Sequence, residues 1–208
     1  MTGMDDELTV SAWHESGHCL AASLFGQAGA ATVTPGAVWV GCSAYVGRLV
    51  PPTEGFDPGN PGVYPQWPHG LRRRLEADVM VALSGDLAES MLTGPRAGRV
   101  AGPVSARAAE AAEKIAGERL APATPEELAE MASAVDEPQI PTDAEAAGQL
   151  AVYACGHDPA ARAAFLAWME VSARLLLAAN SLALGRLADA LLERGALGAE
   201  AVRAVLAG

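Results

Sequence analysis

The sequence predicts a mainly α-helical domain with one small β-sheet. Apolar residues recur at helical spacing over most of the 208 residues, whereas residues 31–50 show shorter apolar runs broken by glycine and proline. Half of the residues are hydrophobic, so the chain can bury a substantial core. A chain of this length without an internal repeat is typical of one domain, and we therefore treat residues 1–208 as a single domain.

The first half of the chain is predicted to contain two long helices separated by strands and a loop. Residues 5–25 carry apolar side chains at helical spacing behind an acidic start, which predicts the first helix. Residues 31–50 are predicted to form two or three short strands. Six prolines within 51–70 predict a long loop, and residues 71–92 are predicted to form a second buried helix.

The second half is predicted to be helical around an insertion. Residues 95–140 are rich in alanine and glutamate and contain few bulky apolar side chains, which predicts a peripheral helical insertion. Helical patterns within this insertion lie near 104–119 and 125–135. Further helices are predicted at about 143–156, 159–180 and 182–194 and after Gly198.

Composition excludes several classes of partner and compartment. The net charge of −11 leaves no excess of cations for phosphates, so we expect neither nucleic-acid binding nor attachment to an anionic membrane. Three widely spaced cysteines form no disulfide framework, which favours a reducing compartment. The acidic N-terminus differs from a signal peptide, and no segment looks able to cross a membrane. We therefore expect a cytoplasmic protein.

The most specific motif is His14-Glu15-Ser16-Gly17-His18, an H-E-x-x-H sequence inside the first predicted helix. Positions i and i+4 share one helix face, so both imidazoles can bind one zinc ion. Glu15 follows His14 directly and is angled toward the side where a metal-bound water would lie, which is the position of a general base. We expect His14 and His18 to be zinc ligands and Glu15 to be the catalytic base.

A catalytic zinc site normally needs a third protein ligand and one open position. A metzincin would place another histidine six residues after His18, but Leu24 occupies that position and excludes this class. A glutamate from the second helix would be Glu89 or Glu76, and an aspartate would be Asp143 at the start of a predicted helix. The spacing alone does not choose among these three carboxylates.

Five segments together resemble one known family. The segments are HESGHCL (14–20), TVTP (32–35), VALSGDLAE (81–89), DAEAA (143–147) and LADALLERGAL (187–197). They are similar, in this order, to the zinc helix, the following strand, the A-L-G-G-R-A-A-E helix, the segment with the third zinc ligand and the closing helical hairpin of the FtsH family of ATP-dependent zinc proteases. The resemblance covers most of the chain and implies an FtsH-like zinc peptidase domain.

The resemblance also implies roles for individual residues. It makes His14, His18 and Asp143 the zinc ligands and Glu15 the base. Glu89 corresponds to a carboxylate that orients a ligand histidine, and its role as the third zinc ligand is the alternative.

The sequence contains no G-x-x-x-x-G-K-[ST] motif, so it provides no ATPase module. We therefore expect a zinc metallopeptidase or amidohydrolase that acts without ATP on short or unfolded peptides. One alternative is a metalloenzyme of the same fold with a small-molecule biosynthetic amide as substrate. Another is a noncatalytic, zinc-stabilised regulatory module, although the intact Glu15 argues against it. No sequence feature determines the oligomeric state, so a homo-oligomer is one of the possible assemblies.

Overall fold

The computed structural model describes residues 3–33, 41–46, 69–94, 103–120, 142–156 and 158–208. The helices in these ranges are α1 (Gly3–Leu24), α2 (His69–Thr93), α3 (Val104–Leu120), α4 (Asp143–Cys155), α5 (Pro159–Ala179), α6 (Ser181–Arg194) and α7 (Ala199–Ala207). The strands are β1 (Ala28–Val33), β2 (Gly41–Val46) and β3 (Ala196–Leu197). The prediction of a mainly helical fold with a small sheet is confirmed. The predicted helix at 125–135 and residues 51–68 of the predicted loop at 51–70 lie outside the described residues, whereas His69 and Gly70 begin α2.

Helices α1 and α2 cross closely because Gly17 lies at their contact. A Cβ added at Gly17 would lie 2.8 Å from Cβ of Ala88 and closer still to the carbonyl oxygen of Ser84. Leu20 on α1 and Leu83 on α2 are fully buried in the main core beside this crossing. The crossing therefore brings the helix that carries the H-E-x-x-H motif against the middle of α2.

The small sheet has the strand order β2-β1-β3, and both pairings are antiparallel. The sequence did not predict β3. Its two residues are too few to show an alternating pattern, and they form a strand because Gly195 ends α6 in the left-handed conformation, with φ 70°. The backbone N–H of Val33 donates to the carbonyl of Gly195 at 2.8 Å. The C-terminal part of the chain thereby closes onto β1.

Helix α3 lies within the range predicted to be a peripheral insertion, but one of its faces is buried. The buried apolar residues recur every four positions and are Val104, Ala108, Ala112 and Ala116. A Cβ added at Gly148 of α4 would lie 2.7 Å from the carbonyl oxygen of Ala108, so α3 and α4 pack at close range. Residues 104–120 of the predicted insertion therefore pack closely against α4, because small side chains line the contact.

Helix α4 begins with a capping box. The backbone N–H of Glu145 donates to Oγ1 of Thr142, and the backbone N–H of Thr142 donates to the Glu145 carboxylate at 2.8 Å. Thr142 is thus the N-cap, and Asp143 occupies the first helical position, as predicted. In this position its side chain can point away from the helix toward α1.

None of the helices in the described ranges is both long and apolar enough to span a membrane on its own. Helices α5 and α6 pass the length and hydropathy criteria only when joined, and the chain bends by 79° between them.

Candidate metal centre

The two histidines of the motif lie one turn apart on α1 and face the same space. Their ring centroids are 4.9 Å apart, and the Nε2 atoms of His14 and His18 approach to 3.2 Å. His18 is buried, whereas the side chain of His14 keeps 21 % of its surface exposed. The pair therefore has the predicted geometry, and the His14 side of it is accessible to solvent.

Asp143 completes a triangle with the two imidazoles. Its Oδ2 atom lies 3.0 Å from Nε2 of His14 and 3.1 Å from Nε2 of His18. Zinc binds nitrogen and oxygen ligands at about 2.0–2.2 Å in a tetrahedron, whose edges are then about 3.3–3.5 Å long. The three atoms are within a few tenths of an ångström of one face of such a tetrahedron. The donor set therefore fits a zinc ion after a small outward adjustment.

The contacts of the two Nδ1 atoms indicate which ring nitrogens direct their lone pairs into this triangle. Nδ1 of His18 donates to the carbonyl oxygen of Val81 at 2.8 Å, and a carbonyl oxygen only accepts. Nδ1 of His14 faces two carboxylates, with Oδ1 of Asp86 at 3.7 Å and Oε2 of Glu89 at 3.8 Å. Both neutral imidazoles would then direct the Nε2 lone pair at the Asp143 oxygen. Three converging acceptors require a cation, either protons or a metal ion.

The electrostatics of the cluster favour positive charge on it. Burial lowers the pKa of His14, but hydrogen bonding to Asp143 and Glu89 and the charges of Asp143 and Glu15 outweigh burial and raise this pKa to about 10. The same charges raise the pKa of His18 despite its burial. Burial raises the pKa of the Asp143 carboxyl, but the two imidazoles hold this pKa far below its usual range. A divalent cation would satisfy the same attraction without protonating the ligands.

Gly85 on α2 keeps the space beside the ligand atoms open. A Cβ added there would lie 2.6 Å from Nε2 of His14 and closer still to Nε2 of His18. The sequence analysis did not identify Gly85 as a site residue. The sequence feature that could have identified it is a glycine in the middle of a buried helix, where glycine is about 1 kcal/mol less favourable than alanine.

Glu15 is buried next to the two histidines in sequence, and its charge contributes to the raised pKa of both. Its Oε2 atom has no hydrogen-bond partner among the residues that the structure describes. A buried carboxylate oxygen is normally hydrogen-bonded. This oxygen is therefore the exception among the buried carboxylates beside the two histidines.

The remaining nominated carboxylates lie in different places. Glu89 is buried beside Nδ1 of His14, on the outer side of the ring and away from the triangle of ligand atoms. Glu76 lies nine residues before Gly85 on α2, which is about 13 Å along the helix axis. Of the carboxylates left open by the sequence, Glu76 is therefore the one that lies along α2 away from the two imidazoles.

Two groups of metal-binding side chains occur in the described ranges, and His14 belongs to both. The first is His14, His18 and Asp143, and the second is His14, Asp86 and Glu89. The sequence analysis did not assign a role to Asp86. Its position three residues before Glu89 places both carboxylates on one helix face, which was the available signal.

Comparison with known proteins adds no further assignment. No protein-family model matches the chain, and no curated protein sequence matches it. The interpretation of the site therefore depends on its own side chains, and the FtsH-like identity of the domain stays a prediction.

Proposed function

We propose that this protein is a zinc-dependent metallopeptidase or amidohydrolase with an FtsH-like peptidase domain. In this proposal His14, His18 and Asp143 hold one zinc ion, and Glu15 is the general base. The convergence of two Nε2 atoms and one carboxylate oxygen within 3.0–3.2 Å of one another carries the proposal.

The donor set supports zinc as the ion. Two imidazoles and one carboxylate are a ligand set that zinc accepts in hydrolytic enzymes, where it keeps a fourth position for water or substrate. The side chains of His14 and Asp143 retain 21 % and 34 % of their exposure, so a substrate can reach the cluster from that side. His18 lies on the closed side, where it is fixed by the carbonyl of Val81.

Glu15 provides the proton transfer in this proposal. When bound, zinc supplies Lewis acidity that polarises a carbonyl group and lowers the pKa of water. The unpaired carboxylate oxygen of Glu15 accepts the proton from the attacking water and then delivers it to the leaving amine.

Peptide or small amide substrates fit this chemistry best. The sequence has no phosphate-binding loop for ATP, so the chain by itself hydrolyses short, flexible or unfolded material. We propose a cytoplasmic location, because the three widely spaced cysteines favour a reducing compartment. We expect neither nucleic acid nor a membrane as a partner, because the chain carries a net charge of −11.

Replacing Glu15 by glutamine tests the proposal. Since Glu15 is not a ligand, Glu15→Gln should keep zinc, but it should lower turnover of unstructured peptides and of a denatured protein by at least ~100-fold through loss of the base. Glu193→Gln is the matched control, because this glutamate is 76 % exposed on α6 and should keep full activity.

The same assay distinguishes the alternatives. Cleavage that depends on ATP, or that continues unchanged in Glu15→Gln, would contradict the mechanism. Zinc-loaded protein that cleaves no peptide would favour a small-molecule amide as substrate if Glu15→Gln lowers activity on such amides, and a noncatalytic regulatory module if no amide is cleaved.

A further inference from the structure

Asp86 connects a proposed zinc ligand to a helix that carries none of the ligands. One of its carboxylate oxygens, Oδ1, lies 3.7 Å from Nδ1 of His14. Its other oxygen, Oδ2, accepts a close, charge-assisted hydrogen bond from Nη2 of Arg107 on α3. Arg107 thus reaches the metal centre through a single carboxylate.

The position of Arg107 is fixed by contacts on both sides of it. Two residues earlier, the backbone N–H of Ser105 donates to Oε2 of the buried Glu170 on α5 at 2.8 Å. One residue later, Ala108 lies against Gly148 of α4 in the close helix contact described above. The first turn of α3 is therefore held by α4 and α5, so Arg107 extends from a rigid base.

A cation is needed at this point because two buried carboxylates approach the same imidazole. Asp86 and Glu89 are three residues apart on α2, keep only 8 % and 5 % of their surface exposed, and both face Nδ1 of His14. Like charges at this spacing repel each other, and burial strengthens the repulsion. Arg107 offsets it by pairing its guanidinium charge with the Asp86 carboxylate.

His14, Asp86 and Glu89 also have the chemistry to hold a second metal ion. Two observations oppose this use. Arg107 already occupies Oδ2 of Asp86, and His14 would have to lose its Nδ1 proton while Nε2 binds the first ion. The arrangement instead resembles the support of a ligand histidine by a carboxylate.

We propose that Arg107 is a positioning residue of the metal centre, which acts through Asp86 to hold the His14 ring with Nε2 toward His18 and Asp143. This inference rests on the proposed metal site. It gives the range predicted as a peripheral insertion an indirect role in metal binding, through Asp86.

A double-mutant cycle tests whether Arg107 acts through Asp86. Zinc dissociation constants are measured by chelator competition for the wild type, Arg107→Gln, Asp86→Asn and the double variant. Each single change should weaken zinc by ~10-fold or more, the range typical of groups that orient a metal ligand. In the Asp86→Asn background, Arg107→Gln should raise the zinc dissociation constant by less than about a further twofold, because Arg107 acts on His14 only through Asp86. If the decreases in zinc affinity of the two single variants multiplied in the double variant, the inference would be overturned.

Two further variants separate charge from general stability. Arg107→Lys keeps the cation and should recover part of the zinc affinity that Arg107→Gln loses. Arg203→Gln removes an exposed arginine of α7 whose Nε donates only to a backbone carbonyl of its own helix, and it should leave zinc affinity unchanged. Equal losses in Arg107→Lys and Arg107→Gln would contradict a role for the charge.

Crystal structures of the metal-free wild type and Arg107→Gln provide a readout that needs no zinc. We expect Asp86 to turn away from His14 in the variant and the His14 ring to rotate, so that Nε2 leaves the triangle. If Arg107 only stabilised α3, the variant would unfold at a lower temperature with the His14 ring in place, which would overturn the inference.

Failure of the wild type to bind zinc would contradict the proposed function, whereas the ring orientation would still decide the role of Arg107. Two zinc ions per chain would also overturn the inference.

Discussion

The crossing of α1 and α2 and the C-terminal corner are both buried, but by different kinds of side chain. At the crossing, the buried residues include Glu15, His18, Asp86 and Glu89. The corner, residues 181–208, is described completely and buries no charged side chain, and its core consists of residues such as Leu197. Burying an apolar side chain stabilises a fold, whereas burying a charged group is costly unless it is paired or binds a metal.

This difference indicates which of the two regions carries the functional side chains. A helix crossing built only for stability would resemble the corner, with leucine and alanine at the contact. The crossing instead combines two glycines, Gly17 and Gly85, with ionisable groups that converge on one point. We therefore propose that the crossing binds the metal ion and that the corner contributes mainly stability.

Replacing Gly85 by alanine should have the largest effect on metal binding. The new Cβ would overlap Nε2 of both histidines, so the rings must move out of the ligand geometry. We expect the zinc dissociation constant of Gly85→Ala to rise by more than the ~10–100-fold typical of outer partners of a metal site. Isothermal titration with zinc measures this directly.

Gly185→Ala is the matched control for this change. Gly185 lies inside α6, and a Cβ added there would meet no atom within 4 Å. This variant should keep the zinc affinity of the wild type and gain stability from the better helix propensity of alanine. If Gly85→Ala bound zinc as tightly as Gly185→Ala, the space beside the two Nε2 atoms would not be the metal site.

Replacing Leu197 by alanine should have the smallest effect on metal binding. Leu197 is 2 % exposed in β3, so its truncation should lower the free energy of unfolding by about 2–5 kcal/mol. Zinc stoichiometry should stay at one ion per chain under conditions where the variant is folded. Chemical denaturation and elemental analysis together check both results.

The control is Leu182→Ala, because Leu182 is 82 % exposed on α6. This substitution should change stability by no more than about 0.5 kcal/mol. Loss of zinc from folded Leu197→Ala would break the assignment of stability to the corner and metal binding to the crossing.

Sequence reasoning predicted the parts of the site that depend on local geometry. The i, i+4 spacing of His14 and His18 fixes their common face on any helix. The helix at about 143–156 was predicted from its apolar pattern, and the structure adds the capping box of Thr142 and Glu145 at its start. Asp143 was nominated from its place at a helix start and from the family resemblance. The geometry of the histidine pair needed only the conformation of a single helix, whereas the choice of Asp143 also needed the resemblance.

The parts that sequence reasoning missed depend on how helices meet. Gly85 has a role only because α2 crosses α1 at the two imidazoles, and Arg107 reaches Asp86 only because α3 packs against α4 and α5. The alanine-rich face of α3 was interpreted as peripheral, because small residues give a weak apolar signal even when they are buried. Strand β3 depends in the same way on its pairing with β1.

The central claim is that His14, His18 and Asp143 bind one zinc ion. The most direct test is a crystal structure of the zinc-loaded protein with diffraction data collected on both sides of the zinc absorption edge. We predict a single anomalous peak per chain, within about 2.0–2.2 Å of Nε2 of both histidines and a carboxylate oxygen of Asp143. A peak coordinated by Glu89 in place of Asp143, or no peak at the two histidines, would contradict this account.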